Sequence, residues 1–424
     1  MKKIALKSTK WRDFIPPRDC ARSLELARSD TYQWAEHRCA EPWISNWRKT
    51  WQRLHGEPYK GITTDGHLIP NVHHLAGTSE DHGAPTKQMV QAATRLISIA
   101  SPEQRQALQI IDVDAPEWRA WVNPEIYVSR HGIRLEESSD AFVAAVHDLM
   151  RASLSEAGYY KAYGCMKVNH YLGEVVNGQK VLNLGSYNIT IFGTPSETEP
   201  WGWQVFGHHF AMNCLVLKTQ MVVTPVFMGA EPNVIDDGPY AGTELFTDQE
   251  QTALILINSI ATQDDKEAID RVRIYKELSG PEYPEWRYHP ADQRHLGGAF
   301  QDNRIIPYEG VKVTALSLSQ QDLIRRLIIL GVNYLPDGAL AAKMREVQAW
   351  WAETYFCWIG AFTREDGFYY KVHSPVIMVE FDHHSGVFLN NALPLPFHIH
   401  TLVRTPQGND YGKELLRQYR KSKS

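Results

Sequence analysis

Pro116-Glu117-Trp118-Arg119, "PEWR", returns unchanged 168 residues later as Pro284-Glu285-Trp286-Arg287. One repeated tetrapeptide is weak evidence, but its neighbours repeat in the same order. Upstream, "SIASPEQRQAL" (Ser98 to Leu108) matches "SIATQDDKEAI" (Ser259 to Ile269). Downstream, "HGIRL" (His131 to Leu135) matches "EGVKV" (Glu309 to Val313), and each leads into an apolar-periodic stretch. Ordered self-similarity at one spacing is the mark of an internal duplication. The expected organisation is an N-terminal extension (1–85), a first half (86–230), a connection (231–246), a second half (247–405) and a tail (406–424). Trp118 and Trp286 are then expected in equivalent environments.

Inside each half, helical patterns precede strand patterns. "SDAFVAAVHDLMRASL" and "QQDLIRRLIILGVNYL" place apolar residues at helical spacing. The first half continues with "LNLGSYNITIFGT", "WGWQVFGHHFAMNCLVL" and "QMVVTPVFMG"; the second answers with "GFYYKVHSP", "VIMVEFDHH" and "FHIHTLVRT". Helices followed by runs of strands predict an α+β fold with antiparallel pairing, not alternating βαβ units.

Composition narrows the function. The 424 residues carry a formal charge of only -5, which gives no electrostatic reason to expect nucleic acid or an anionic membrane as partner. Five scattered cysteines include no Cys-x-x-Cys pair, so neither a disulfide framework nor a cysteine zinc site is expected. A cytoplasmic protein with reduced thiols is the expectation. The N-terminus is basic but lacks the apolar stretch of a signal peptide, and no run is long enough to span a bilayer. Gly-x-Gly-x-x-Gly, Walker and Gly-x-Ser-x-Gly motifs are missing, which disfavours nucleotide binding and a serine nucleophile.

The chemistry concentrates near the C-terminus, in "FDHHSGVFLNNALPLPFHIH" (Phe381 to His400). His398 and His400, two residues apart on a strand, share a face and can reach one ion. Laying "WQVFGHHFAMN" (from Trp203) against "YKVHSPVIMVE" (from Tyr370) brings the strand bearing His209 into correspondence with the one bearing Glu380. If the halves pack about a pseudo-two-fold axis, these faces converge. The predicted metal ligands are His209, His398, His400 and Glu380, with His208 and His384 in reserve. His383 is read as local structure. Neutral imidazoles with a carboxylate suit zinc, iron or copper.

Other polar residues surround this set. "DQRHLGGAFQDNRIIPYEG" (Asp292 to Gly310) offers Arg294 and His295 for substrate contact, with Trp203 as an aromatic wall. Asn213 and Asp410 are expected to support the ligands, Asp410 by pairing with Arg404 and bracing the histidine strand.

"FGTPSETEPWGWQVFGHH", "GAEPN", "YYKVHSPVIMVEFDHHSGVF" and "FHIHTLVRTPQGNDYG" together resemble a domain-of-unknown-function family, family 3500, found in fungi and bacteria. The resemblance covers nearly all of the chain after about residue 85, and "DHHSGVF" resembles its fungal branch. Its pattern falls on Gly207, His208, His209, Glu380, His398, His400, Arg404, Asp410 and Gly412, and it implies no particular reaction.

The function expected from these residues is a metal-dependent enzyme acting on a small organic molecule, with metal-assisted hydrolysis preferred. Glu380 serves as ligand or general base, and Arg404 orients the site. The alternatives are a non-haem iron or copper oxidoreductase and a non-catalytic small-molecule-binding protein.

Overall fold

A computed structural model describes residues 8–77, 80–261, 266–280, 282–289 and 292–423. Residues 1–7 of the extension and 262–265, inside the matched segment Ser259 to Ile269, lie outside the described residues. The extension forms α1 (Ala21–Arg28), α2 (Thr31–Ala40) and α3 (Pro42–Gly56). Next come α4 (Thr86–Ile99), α5 (Pro102–Leu108), β1 (Gln109–Ile110), β2 (Ile133–Arg134), α6 (Asp140–Ser153) and α7 (Glu156–Val175). Four strands complete this series: β3 (Tyr187–Phe192), β4 (Trp201–Gly207), β5 (Phe210–Leu217) and β6 (Gln220–Ala230).

The same order then recurs. It runs α8 (Thr247–Ala261), α9 (Lys266–Val272), β7 (Arg273–Tyr275), β8 (Val311–Lys312), α10 (Leu318–Val332) and α11 (Asp337–Ala349). It closes with β9 (Tyr355–Gly360), β10 (Phe368–His373), β11 (Met378–His383) and β12 (Ile399–Arg404), before a final helix α12 (Lys413–Lys423). Both "PEWR" copies form a 3-10 turn between the two short strands of their series. Serines set the helix starts: Ser139 caps α6, and Ser317 caps α10 reciprocally with Gln320.

Among the described residues the twelve strands join one sheet, ordered β1-β3-β4-β5-β6-β12-β11-β10-β9-β7, with β2 on β3 and β8 on β9. Pairing is antiparallel except for β1 with β3 and β7 with β9, so the fold is α+β with a mixed sheet. The last strands of the two series meet at its centre, where His400 lies opposite Gly229 and Leu402 opposite Phe227. Helices α4, α6, α7, α8 and α10 cover one face, packing Phe142, Leu149 and Ile324 against Val205, Met228 and Val379. Each such side chain contributes about 1.5–3 kcal/mol when fully buried. The other face is covered by α3 and loops, with Trp47, Trp51, Trp118, Phe300 and Tyr411 against Phe227 and Leu402. Because both faces are covered, the strands read as continuous apolar runs where an exposed sheet would alternate.

Two expectations fail in detail. Trp118 is fully buried and stacks on Phe192, with ring centroids 3.9 Å apart, whereas Trp286 is 48% exposed. The first copy sits beneath the α3 cluster, and Trp286 lies outside that cluster. The stretch "WGWQVFGHHFAMNCLVL" is two strands, not one: Gly207 pairs with Phe210, and His208-His209 is the turn between them.

Candidate metal centre

His209 reaches the site from a turn. Its φ of 59° is a left-handed conformation that histidine adopts more readily than bulky or β-branched residues do. Main-chain bonds lock it there: His209 N donates to Asn123 O (3.1 Å), and Gly229 N donates to His209 O (2.8 Å). His400 points from the central strand β12, and His398 immediately precedes that strand.

The three side chains converge. Nε2 of His209 lies 3.1 Å from Nε2 of His398 and 3.3 Å from that of His400, and the last two are 3.0 Å apart. All three residues are at most 3% exposed. His398 Nδ1 is 2.7 Å from Ser385 O. A carbonyl only accepts, so Nδ1 carries the proton and Nε2 is left with a bare lone pair. Burial, and then the neighbouring imidazoles, push all three well below the usual histidine range, so the rings are neutral. With bonds of about 2.05 Å, ligand nitrogens stand roughly 3.4 Å apart on a tetrahedral ion and roughly 2.9 Å apart on an octahedral one. The observed edges fall between these values.

Gly229 makes the convergence possible. A Cβ there would lie 3.0 Å from Cδ2 of both His209 and His400, and 2.9 Å from Ile399 O. Behind His398, the buried Glu231 carboxylate stands 3.8 Å from Nδ1 and accepts from the main-chain amides of Val387, Phe388 and Leu389. Burial pushes it up to about 7 against those three donors. The His384 ring lies 4.7 Å from that of His398 and 4.6 Å from that of His400, and its Nδ1 also donates to Ser385 O.

Asp382 is the cross-strand neighbour of His400. Its Oδ1 is 3.1 Å from Nδ1 of His295, whose Nε2 is 3.2 Å from Asp292 Oδ1. Burial works against charge on His295, but Asp292 and Asp382 outweigh it and push the imidazolium up to about 10.

Several residues expected at the centre do other work. Glu380 is fully buried away from the imidazole triangle. Its Oε1 accepts from Leu296 N and Tyr369 OH (both 2.7 Å), and its Oε2 accepts from Gly297 N (2.9 Å). These three bonds organise the 296–297 loop and commit both carboxylate oxygens to it. Arg404 does not reach a substrate space either. It is fully buried and pairs with Asp302 (2.9 Å) and Asp410 (3.1 Å), also donating to Gly297 O and Gly298 O. The expected Arg404–Asp410 brace is present, and Asp410 also accepts from Thr405 N.

Asn213 is committed to Gln204 and to Pro225 O. Trp203 lies in the helix-covered core, bonded to Ser153. His208 stacks on His209 at 3.9 Å and bonds Asn169. His383 bridges Phe368 N and Glu250, the local role expected of it. His295 is 1% exposed between its two aspartates, which removes it from substrate contact. Arg294, by contrast, lines a cleft.

Asp292, Asp382, Gly229, Glu231 and Ser385 escaped the sequence reading. Asp382-x-His384 on one strand face was a usable signal for Asp382, and "GAEPN" holds both Gly229 and Glu231.

The family model described as "Protein of unknown function (DUF3500)" matches residues 82–413, and the chain belongs to that family. No curated protein and no solved structure matches it. Among the described residues no helix is long and apolar enough to cross a membrane.

Proposed function

We propose that this member of the family binds one divalent transition ion (zinc, iron or copper) through His209, His398 and His400. In this reading it uses that ion to hydrolyse a small organic molecule. The observation that carries the reading is the triangle of Nε2 atoms, 3.0–3.3 Å on each edge. Three Nε2 atoms of neutral imidazoles, one of them the bare lone pair of His398, meet at one point, and a cation placed among them satisfies all three at once. Three protein ligands leave a position for water or substrate, and a bound ion lowers the pKa of such a water towards neutrality.

The chain's own groups then have definite tasks. Ser385 O fixes the tautomer of His398, and Gly229 gives two rings room to approach. Asp382 and, when it is ionised, Glu231 supply buried negative charge beside the ligands, the part first assigned to Glu380. His384, placed over His398 and His400, is the residue positioned to carry a proton.

A second arrangement, His295, Asp382 and His400, has the two-histidine, one-carboxylate composition of oxygen-activating iron sites. It is the weaker reading, because both ring nitrogens of His295 face carboxylates and an imidazolium cannot ligate. The repeated element order and symmetric strand order support an ancestral duplication, with the metal centre built across the join of the halves. Five free cysteines accord with a cytoplasmic setting.

Elemental analysis of untagged protein after incubation with Zn(II), Fe(II) and Cu(II) tests the proposal. One ion per chain is expected. Protein that remains metal-free with all three defeats it.

A further inference from the structure

Six arginines are buried among the described residues: Arg38, Arg119, Arg134, Arg287, Arg294 and Arg404. Five have a carboxylate within ion-pair distance, namely Glu41, Asp302, Glu136, Glu309 and, for Arg404, both Asp302 and Asp410. Arg294, only 2% exposed, has none among the described residues. Its Nε donates to Leu278 O and its Nη1 to Gln293 Oε1, while Nη2 makes no hydrogen bond among the described residues. A buried charge is ordinarily paired, since desolvation without a counter-ion is costly.

The missing partner has a place to sit. Arg294 lines a cleft of about 390 Å³ together with Tyr283, Tyr288, Gln293 and Ser385, with Glu285 also on its wall. That volume falls within the range of small-molecule sites. The rings of Tyr283 and Tyr288 each lie 5.7 Å from the guanidinium carbon, so the cation stands beside two aromatic walls.

The cleft is wired to the metal centre. Arg294 Nη1 donates to Gln293 Oε1, which also accepts from Ser385 N (3.2 Å), and Ser385 O accepts from Nδ1 of His398. Gln293 holds this link with a left-handed backbone, φ 48°. One short chain of bonds therefore joins the unpaired guanidinium to a residue of the imidazole triangle.

We infer that this cleft binds a small organic carboxylate, its carboxylate on Nη2 of Arg294 and its body against Tyr283 and Tyr288. Calling that molecule the substrate rests on the metal-centre reading; the carboxylate site stands without it. A carboxylate is favoured because it is the group that pairs with every other buried arginine here, and the planar fork matches its two oxygens.

The test is calorimetric titration of the full chain, metal-loaded and metal-free, with benzoate, with its neutral analogue benzamide, and with inorganic phosphate. Benzoate is expected to bind at least tenfold more tightly than benzamide or phosphate, and Arg294→Gln to reduce benzoate to the benzamide level while keeping its metal content. Should Arg294→Gln fail to fold, Tyr288→Ala carries the test: that ring is 45% exposed, and its loss should weaken benzoate severalfold with the melting temperature little changed. Equal binding of benzoate and benzamide, tighter binding of phosphate, no binding of benzoate, or variants that bind it like wild type would each overturn the inference. Metal content measured on the same samples separates the two claims. Benzoate bound by a protein that takes up no metal would sink the metal centre and leave the carboxylate site standing, and metal uptake without benzoate binding would do the reverse.

Discussion

Nε2 of His209 lies 3.3 Å from Nε2 of His400, although 191 residues separate them in the chain. The contact joins the hairpin turn of one strand series to the central strand of the other. Removing either end should abolish metal binding. His209→Asn is the gentler change, since asparagine tolerates the left-handed backbone but cannot extend a nitrogen to the same point. We expect it, and the His398→Ala/His400→Ala pair, to retain less than about one hundredth of the wild-type affinity. Added metal should raise the melting temperature of wild type, since a ligand at about 100 times its Kd stabilises by about 2.7 kcal/mol. It should leave both variants unmoved, and a variant that still responds like wild type would exclude that residue as a ligand.

Gly229→Ala removes no ligand but places a methyl group against both His209 and His400. The rings must separate, and metal affinity should fall about 10- to 100-fold, the range seen when groups supporting metal ligands are altered. The metal-free fold should lose about 1–3 kcal/mol from overpacking. Titration with a competing chelator measures the first effect and urea unfolding the second. Unchanged affinity would mean the triangle does not depend on that close approach.

Glu380→Gln separates a structural from a ligand role. Its amide keeps one oxygen, so its NH2 group would face one of the two main-chain amides, Leu296 N or Gly297 N, that now donate to the carboxylate. The fold should lose about 2–3 kcal/mol, while metal stoichiometry stays at one. Loss of metal with full stability would return Glu380 to the coordination sphere.

Arg404→Met should be among the more damaging single changes. It leaves Asp302 and Asp410 buried with less counter-charge, and breaking such a pair costs about 3–5 kcal/mol. Burial already pushes Asp410 up to about 6 despite the arginine. Partial rescue by Asp410→Asn in the same background is expected, and urea unfolding of both variants decides it.

Stability should fall on the acid side. His73 and His147 are held down at about 4, chiefly by burial, against an unfolded value near 6.5. Both stay neutral in the fold while the unfolded chain takes up protons. Their contribution is therefore present above pH 6.5 and is lost as pH drops towards 4, at about 1.4 kcal/mol per pKa unit. His295, pushed up to about 10, has the opposite sign: its contribution is full below pH 6.5 and fades as pH rises towards 10. Melting temperatures of metal-free protein should decline from pH 7 to pH 4.5. His73→Gln, which can keep a bond to Pro406 O, should show a shallower decline. Asp410 and Glu231, pushed up to about 6 and about 7, work the other way over this range, so the variant decides: a His73→Gln protein that declines as steeply as wild type would contradict the His73 assignment.

The sequence by itself determined the local chemistry of this protein. Apolar spacing along Phe142, Leu149 and Ile324 marked the helices. The i, i+2 spacing of His398 and His400 marked a two-nitrogen face, and the repeated "PEWR" context announced the recurring element order. These are properties of neighbouring residues, and short-range periodicity encodes them. What only the tertiary structure decided was which polar groups meet. Glu380 and His400 share a strand face with Asp382, yet the 296–297 loop claims Glu380 while the third nitrogen comes from a turn residue, His209. The need for Gly229 became visible only when β6 was laid beside β12. Arg294 stands out only once every other buried arginine is seen to have found its carboxylate. A buried polar group goes wherever its hydrogen bonds can be completed, and the partners that complete them lie far away in sequence.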